Sequence, residues 1–222
     1  MKQMFNPLPT TYQPLYHDMK IHPGDPLRSY AAASVQEVLT LHQQNIGADY
    51  IYFAAPKTKA DIASVIGKCR LVANHVQELL NINDLAAEHN RPGYLETVGL
   101  RVIPAKFESN DQIGFPESHL LELVETCKKM SAISIRGAFI QGDLSTLSGQ
   151  EMADYFHESY QLVKRMTTLL PCQIFYFCLS DILGAMETLT QQQPQAMEKI
   201  LYAANIVGIQ NQTAFYARLL VD

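Results

Sequence analysis

The chain has 222 residues, of which 47% are hydrophobic, and a formal net charge of −5, enough for one sizeable core and at most two domains. Mild acidity with no basic run excludes a phosphate-backbone partner, so no nucleic acid is expected. The N-terminus lacks an apolar h-region and no apolar stretch approaches spanning length, so a cytoplasmic protein without a membrane partner is expected. Cys69, Cys127, Cys172 and Cys178 show no C-x-x-C spacing, and the seven histidines form no H-x-H or H-E-x-x-H pattern. No metal site and no redox pair is therefore expected, and Cys172 and Cys178, in an apolar run, read as buried thiols.

Residues 1–30 carry five of the eleven prolines and read as an irregular N-terminal segment with a short strand near Leu15–Met19. Residues 31–222 read as a single α/β domain. Ser34-x-x-Glu37 has capping-box spacing and starts a helix to about Gln44, with Gly47 supplying the left-handed stop. Tyr50–Ala55 is a buried strand ended by Pro56, and Thr58, with Asp61 three residues on, starts a helix to about Lys68.

Arg70–His75 reads as a strand and Val76–His89 as a helix. Three more units follow: strand Thr97–Ile103 with helix Glu117–Met130, strand Ala132–Ile140 with helix Gly149–Leu169, and strand Gln173–Leu179 with helix Ile182–Leu189. Residues 196–222 begin helical and then become ambiguous. Near-continuous apolar strands between helices imply a parallel sheet covered by helices, either an open doubly wound sheet or a closed barrel. No G-x-G-x-x-G or P-loop follows a strand, which weakens a nucleotide site.

In a barrel the site lies at the carboxyl ends of the strands. Those ends here are Pro56-Lys57, Asn74-His75, Arg101–Pro104, Ile140–Asp143 and Cys178–Asp181. Asp143, Ser145 and Ser148 read as turn residues. Ser180-Asp181 reads as a helix N-terminus whose N–H groups would also hold an anion.

An ordered set of segments resembles the pyridoxal-phosphate (PLP) decarboxylases for ornithine, arginine and diaminopimelate. Ala31–Glu37 resembles their D-V-A-S-x-x-E step, Tyr50–Lys57 their I-I-Y-A-N-P-x-K, and His75–Leu79 their D-S-x-x-E-L. Val98–Pro104 is similar to V-x-L-R-V-N-P, Ile113-Gly114-Phe115 to K-F-G-I, and Ile135–Phe139 to the L-x-G-x-x-F-H-x-G-S strand. The resemblance implies a parallel (β/α) barrel of the alanine racemase-like type, with PLP held at the strand ends by a lysine Schiff base.

In that register Lys20 matches the Schiff-base lysine, Leu27–Tyr30 is a remnant of the helix after it, and Lys57 is a structural or rim lysine. The resemblance makes Ser34, Arg101 and Ser180 cofactor-binding residues. Several of the family's groups are replaced. Its acid falls on Ala31, its histidine and serine fall near Ile140 and Asp143, and its triple-glycine turn on Cys178–Asp181. No counterpart of the E-P-G-R element stands in Ala204–Arg218, and the chain ends too early for the C-terminal β-domain.

A second register resembles the small PLP-homeostasis proteins. Pro56–Lys59 is similar to their S-K-T-K, which would make Lys57 the Schiff-base residue. Asn74–Glu78 looks like their E-N-Y-V-Q-E, Leu179–Asp181 like M-S-x-D, and Phe215–Arg218 like F-G-A-R. The expected function is a degenerate or repurposed PLP-decarboxylase-like barrel, acting with a partner chain or binding an amino-acid- or polyamine-like small molecule in a homo- or hetero-oligomer. The alternatives are an active PLP enzyme (decarboxylase or racemase-like) using Lys20 or Lys57, and a PLP-homeostasis-type protein.

Overall fold

Runs of β-branched and aromatic residues, each followed by an amphipathic stretch, fold into parallel strands joined by helices. A computed structural model describes residues 6–7, 29–89, 93–108, 112–140, 149–172, 174, 176–179, 216–217 and 220–221. The strands of the first half are β1 (Asn6–Pro7), β2 (Ser29–Ala32), β3 (Ile51–Phe53), β4 (Arg70–Ala73) and β5 (Glu96–Ile103). Those of the second half are β6 (Phe115–Pro116), β7 (Ile133–Ile140), β8 (Tyr176–Leu179), β9 (Tyr216–Ala217) and β10 (Leu220–Val221). Between them run α1 (Val35–Gln43), α2 (Lys59–Val65), α3 (Val76–His89), α4 (Leu120–Cys127) and α5 (Gly149–Leu169).

The main sheet has the order β10-β2-β3-β4-β5-β7-β8, with β6 beside the end of β5. Every pairing in it is parallel. Strands consecutive along the chain are neighbours in space, and β10 returns to lie beside β2, the succession of a barrel wall. β1 and β9 form a separate antiparallel pair.

The sheet curves strongly. Three strand spacings of about 4.8 Å would put β3 and β7 about 14 Å apart in a flat sheet. The Tyr52 and Phe139 rings nevertheless meet at 5.5 Å between centroids, tilted by 50°. Between them, on the same face, the register aligns Val72 with Gly99 and Gly99 with Gly137, and the two glycines leave space for the rings to converge. A bulge between Val98 and Gly99 leaves Arg136 out of the pairing and sharpens the bend.

The two faces carry two cores. Phe53, Leu71, Ala73, Val98, Leu100, Val102 and Ile140 pack against the apolar stripes of the helices, among them Val38, Ile62, Leu79, Ile82 and Leu123. The alternate residues Tyr52, Val72, Phe139 and Cys178 form a smaller cluster on the concave face. Cys178 is buried there, as the sequence suggests, and Cys172 is half-buried with Sγ 2.8 Å from the Ile135 carbonyl.

Local chemistry explains where the helices begin and end. Thr58 and Asp61 form a reciprocal capping box, with Thr58 Oγ1 accepting from Asp61 N and Asp61 Oδ2 from Thr58 N. Ser34 Oγ accepts from Glu37 N at 3.2 Å, but the Glu37 carboxylate reaches one residue further back than expected, to Ala33 N at 2.7 Å. α1 ends on Asn45 (φ 62°), with Ile46 N donating to Leu41 O. This is a six-to-one Schellman closure, so asparagine takes the left-handed role expected of Gly47, whose φ is −66°.

Three further expectations change. Ser29 and Tyr30 belong to β2, so they are no helix remnant. β3 is shorter than Tyr50–Ala55 because Ala48–Tyr50 form a 3-10 turn. The helix expected over Glu117–Met130 is a 3-10 turn (Glu117–His119) followed by α4, since Glu117 Oε2 is held by Ala105 N at 2.9 Å. The expected strand Leu15–Met19, helix Ile182–Leu189 and loop Asp143–Ser148 lie outside the described residues. Among the described residues no helix is long and apolar enough to cross a membrane.

Candidate functional site

The carboxyl ends of β3, β4 and β5 bring Lys57, Asn74, His75, Glu78 and Arg101 together. Pro56 ends the run after β3, and the next residue, Lys57, turns inward as the chain enters the α2 cap. Its side chain is fully buried, as is that of Glu78, and Nζ lies 3.2 Å from Glu78 Oε2. Nζ also donates to the Val72 carbonyl at 2.7 Å and sits 5.2 Å from the Phe53 ring centroid, a ring of the helix-side core. Burial pulls the Lys57 pKa below its ordinary 10.5, the Glu78 carboxylate opposes that shift, and the Arg101 charge adds to it.

Glu78 is the hub. It stands in the first turn of α3, where a carboxylate also complements the helix dipole. Its Oε1 accepts from Lys57 N at 2.9 Å. Its Oε2 accepts from Asn74 N and Asn74 Nδ2, each at 2.9 Å, besides the Lys57 ammonium. His75 completes the cap: Nδ1 accepts from Glu78 N at 3.3 Å, while Nε2 lies 3.4 Å from Glu78 Oε1.

Arg101, half-buried near the end of β5, reaches over β4 and donates through Nη2 to the Ala54 carbonyl at 3.0 Å. Gly114, just before β6, backs against it. A Cβ at Gly114 would lie 3.1 Å from both Arg101 Cγ and Arg101 O, and the residue has φ +143°. Only glycine fits that approach and that backbone without strain, which gives the Ile113-Gly114-Phe115 segment a physical role beside Arg101.

The remaining sequence-derived candidates are dispersed or outside view. Ser34 is the cap of α1, its hydroxyl engaged by Glu37 N. Lys20, Ser180 and Asp181 lie outside the described residues. Sequence reasoning took Glu78 only as part of a helix step. Its signal was an acidic residue one turn after the polar pair Asn74-His75, with a lysine behind the preceding strand.

These groups can be tested against PLP. A Schiff base needs a lysine amine open to the cofactor carbonyl. The Lys57 amine is enclosed, with both contacts taken by Glu78 and Val72. The ring-stacking histidine of the resembled strand falls near Ile140, the last described residue of β7, an aliphatic side chain buried in the helix-side core. Among the described residues, Lys57 is not placed to form a Schiff base, and the other candidates Lys20 and Ser180 lie outside them.

No family model and no curated protein matches the chain. Solved structures do match. The arginine decarboxylase of Paramecium bursaria Chlorella virus, bound to agmatine, superposes with a TM-score of 0.63 at 15% identity, over 87% of this chain and 51% of its own. An alanine racemase of Clostridium difficile gives 0.55 at 18% identity, over 70% of this chain and 41% of its own. PipY of Synechococcus elongatus gives 0.56 at 12% identity, over 68% of this chain and 69% of its own. The chain thus spans about half the length of the decarboxylase. Its fold is the parallel α/β fold of these alanine racemase-like barrels, as the ordered segments implied.

Proposed function

We propose that this chain is a divergent PLP-decarboxylase-like barrel repurposed to bind an amino-acid- or polyamine-like small molecule, with a partner chain completing its site. The observation that carries the reading is the enclosure of Lys57, one of the two Schiff-base candidates, by Glu78 and Val72. The aliphatic core residue Ile140, near the expected histidine position, supports it further. The class of ligand rests on the agmatine-bound arginine decarboxylase among the structural neighbours.

The placement of β2 ahead of β3 in the sheet supports the decarboxylase register over the PLP-homeostasis register. In the latter, the strand leading to Lys57 would be the first of the barrel. Lys57 then has a structural role, and Lys20 remains the residue that an active PLP enzyme of this register would use. A cytoplasmic, oligomeric protein is part of the proposal. The test is a thermal-shift panel of basic amino acids, diamines and agmatine, run beside sedimentation analysis. A saturable shift with at least one compound, on an oligomer, is expected. A well-folded lone monomer that binds none of them overturns the reading.

A further inference from the structure

We infer that Lys57 and Glu78 form a latch that holds the lysine as an unreactive ammonium, so that Lys57 is a latent carbonyl-reactive site open to small aldehydes only when the latch is broken. Three observations carry this. Both side chains are fully buried. The ammonium is divided between a carboxylate and a main-chain carbonyl on a different strand. The carboxylate that holds it is itself fixed by the main-chain N–H groups of Lys57 and Asn74 and by the Asn74 amide. An ammonium has no lone pair to attack a carbonyl carbon, and the proton it would have to lose is shared with Glu78.

Burial already weakens the hold on that proton, and Glu78 is the largest influence opposing the loss. Removing the carboxylate charge therefore leaves a desolvated lysine that gives up its proton more readily than in wild type. The free amine then adds to an aldehyde. The C–N bond forms, water leaves, and the resulting imine is reducible by hydride to a secondary amine. The inference stands apart from the proposed function, since a cofactor held at Lys20 or a failed ligand panel would leave it intact.

The test is reductive methylation of the folded chain with formaldehyde and cyanoborohydride, read lysine by lysine by mass spectrometry after digestion. In wild type, exposed Lys59 and Lys129 are methylated and Lys57 is spared. In Glu78→Gln, labelling of Lys57 rises at least tenfold relative to Lys59. Wild-type Lys57 labelled as fast as Lys59 overturns the inference, and so does a cooperatively folding Glu78→Gln whose Lys57 stays protected. If that variant does not fold, wild type in rising urea decides. Lys57 labelling that tracks global unfolding by circular dichroism supports the latch, and labelling well ahead of it overturns the latch.

Discussion

The buried pair makes an asymmetric prediction about stability. In Lys57→Met the Glu78 carboxylate loses one donor but keeps the N–H of residue 57, Asn74 N and Asn74 Nδ2. The expected cost is about 3 kcal/mol, the low end for breaking a buried ion pair. In Glu78→Leu the ammonium keeps only the Val72 carbonyl, and two main-chain donors and one amide lose their acceptor. The expected cost is about 5 kcal/mol, a large share of a domain's total stability.

The double variant Lys57→Met/Glu78→Leu removes the uncompensated charge and should cost no more than Glu78→Leu alone. That implies a coupling of about 3 kcal/mol. The assay is urea denaturation followed by circular dichroism and by tyrosine fluorescence, since the chain has 11 tyrosines and no tryptophan. Strictly additive single costs, or a Glu78→Leu cost below about 1 kcal/mol, would refute the reasoning.

Alkaline pH sets two contributions against each other. Burial pushes the Cys69 and Cys127 thiols from 9.0 up to about 12, so the folded state keeps protons that the unfolded chain releases, and stability falls as pH rises between those values. Lys57 is depressed below 10.5; there the unfolded chain binds the extra proton, and stability rises with pH below 10.5. Lys57→Met should therefore lose stability more steeply than wild type when denaturation midpoints are compared below pH 10.5, and equal slopes would contradict the assignment.

Gly114→Ala should destabilise by about 2 kcal/mol, combining a strained positive φ with overpacking against Arg101, whereas Gly67→Ala, with open space around it, should cost less. Thermal melting of the two variants separates these outcomes. Thr58→Ala should cost about 1 kcal/mol through loss of the reciprocal cap on α2, measurable in the same melts.

Much of this fold was legible because its signals are local. The apolar stripe of α3 and the length of α5 follow from helical periodicity alone, and both helices span the expected residues. Thr58 and Ser34 mark their helix starts by side-chain chemistry that acts over three residues. The end of α1 falls where expected, at its cap Gln44, but the left-handed residue is Asn45 and not Gly47, because asparagine, like glycine, tolerates that region.

The site was less legible because it is made by strands meeting in space. Lys57 and Glu78 are 21 residues apart, and only the parallel pairing of β3 with β4 brings the end of one strand against the helix following the other. A lysine after a proline reads equally well as a catalytic amine or as a buried cation until that pairing is known. The concave contact of Tyr52 with Phe139 is illegible for the same reason, since it depends on the curvature that Gly99 and Gly137 permit.

The enclosure of Lys57 by Glu78 and Val72 locks its amine away from a cofactor carbonyl. An absorbance scan after soaking with PLP, before and after borohydride, on wild type, Lys20→Ala and Lys57→Ala tests it most directly. No internal-aldimine band that depends on Lys57 is expected. A yellow protein that borohydride bleaches, with its colour lost in Lys57→Ala and kept in Lys20→Ala, would contradict it.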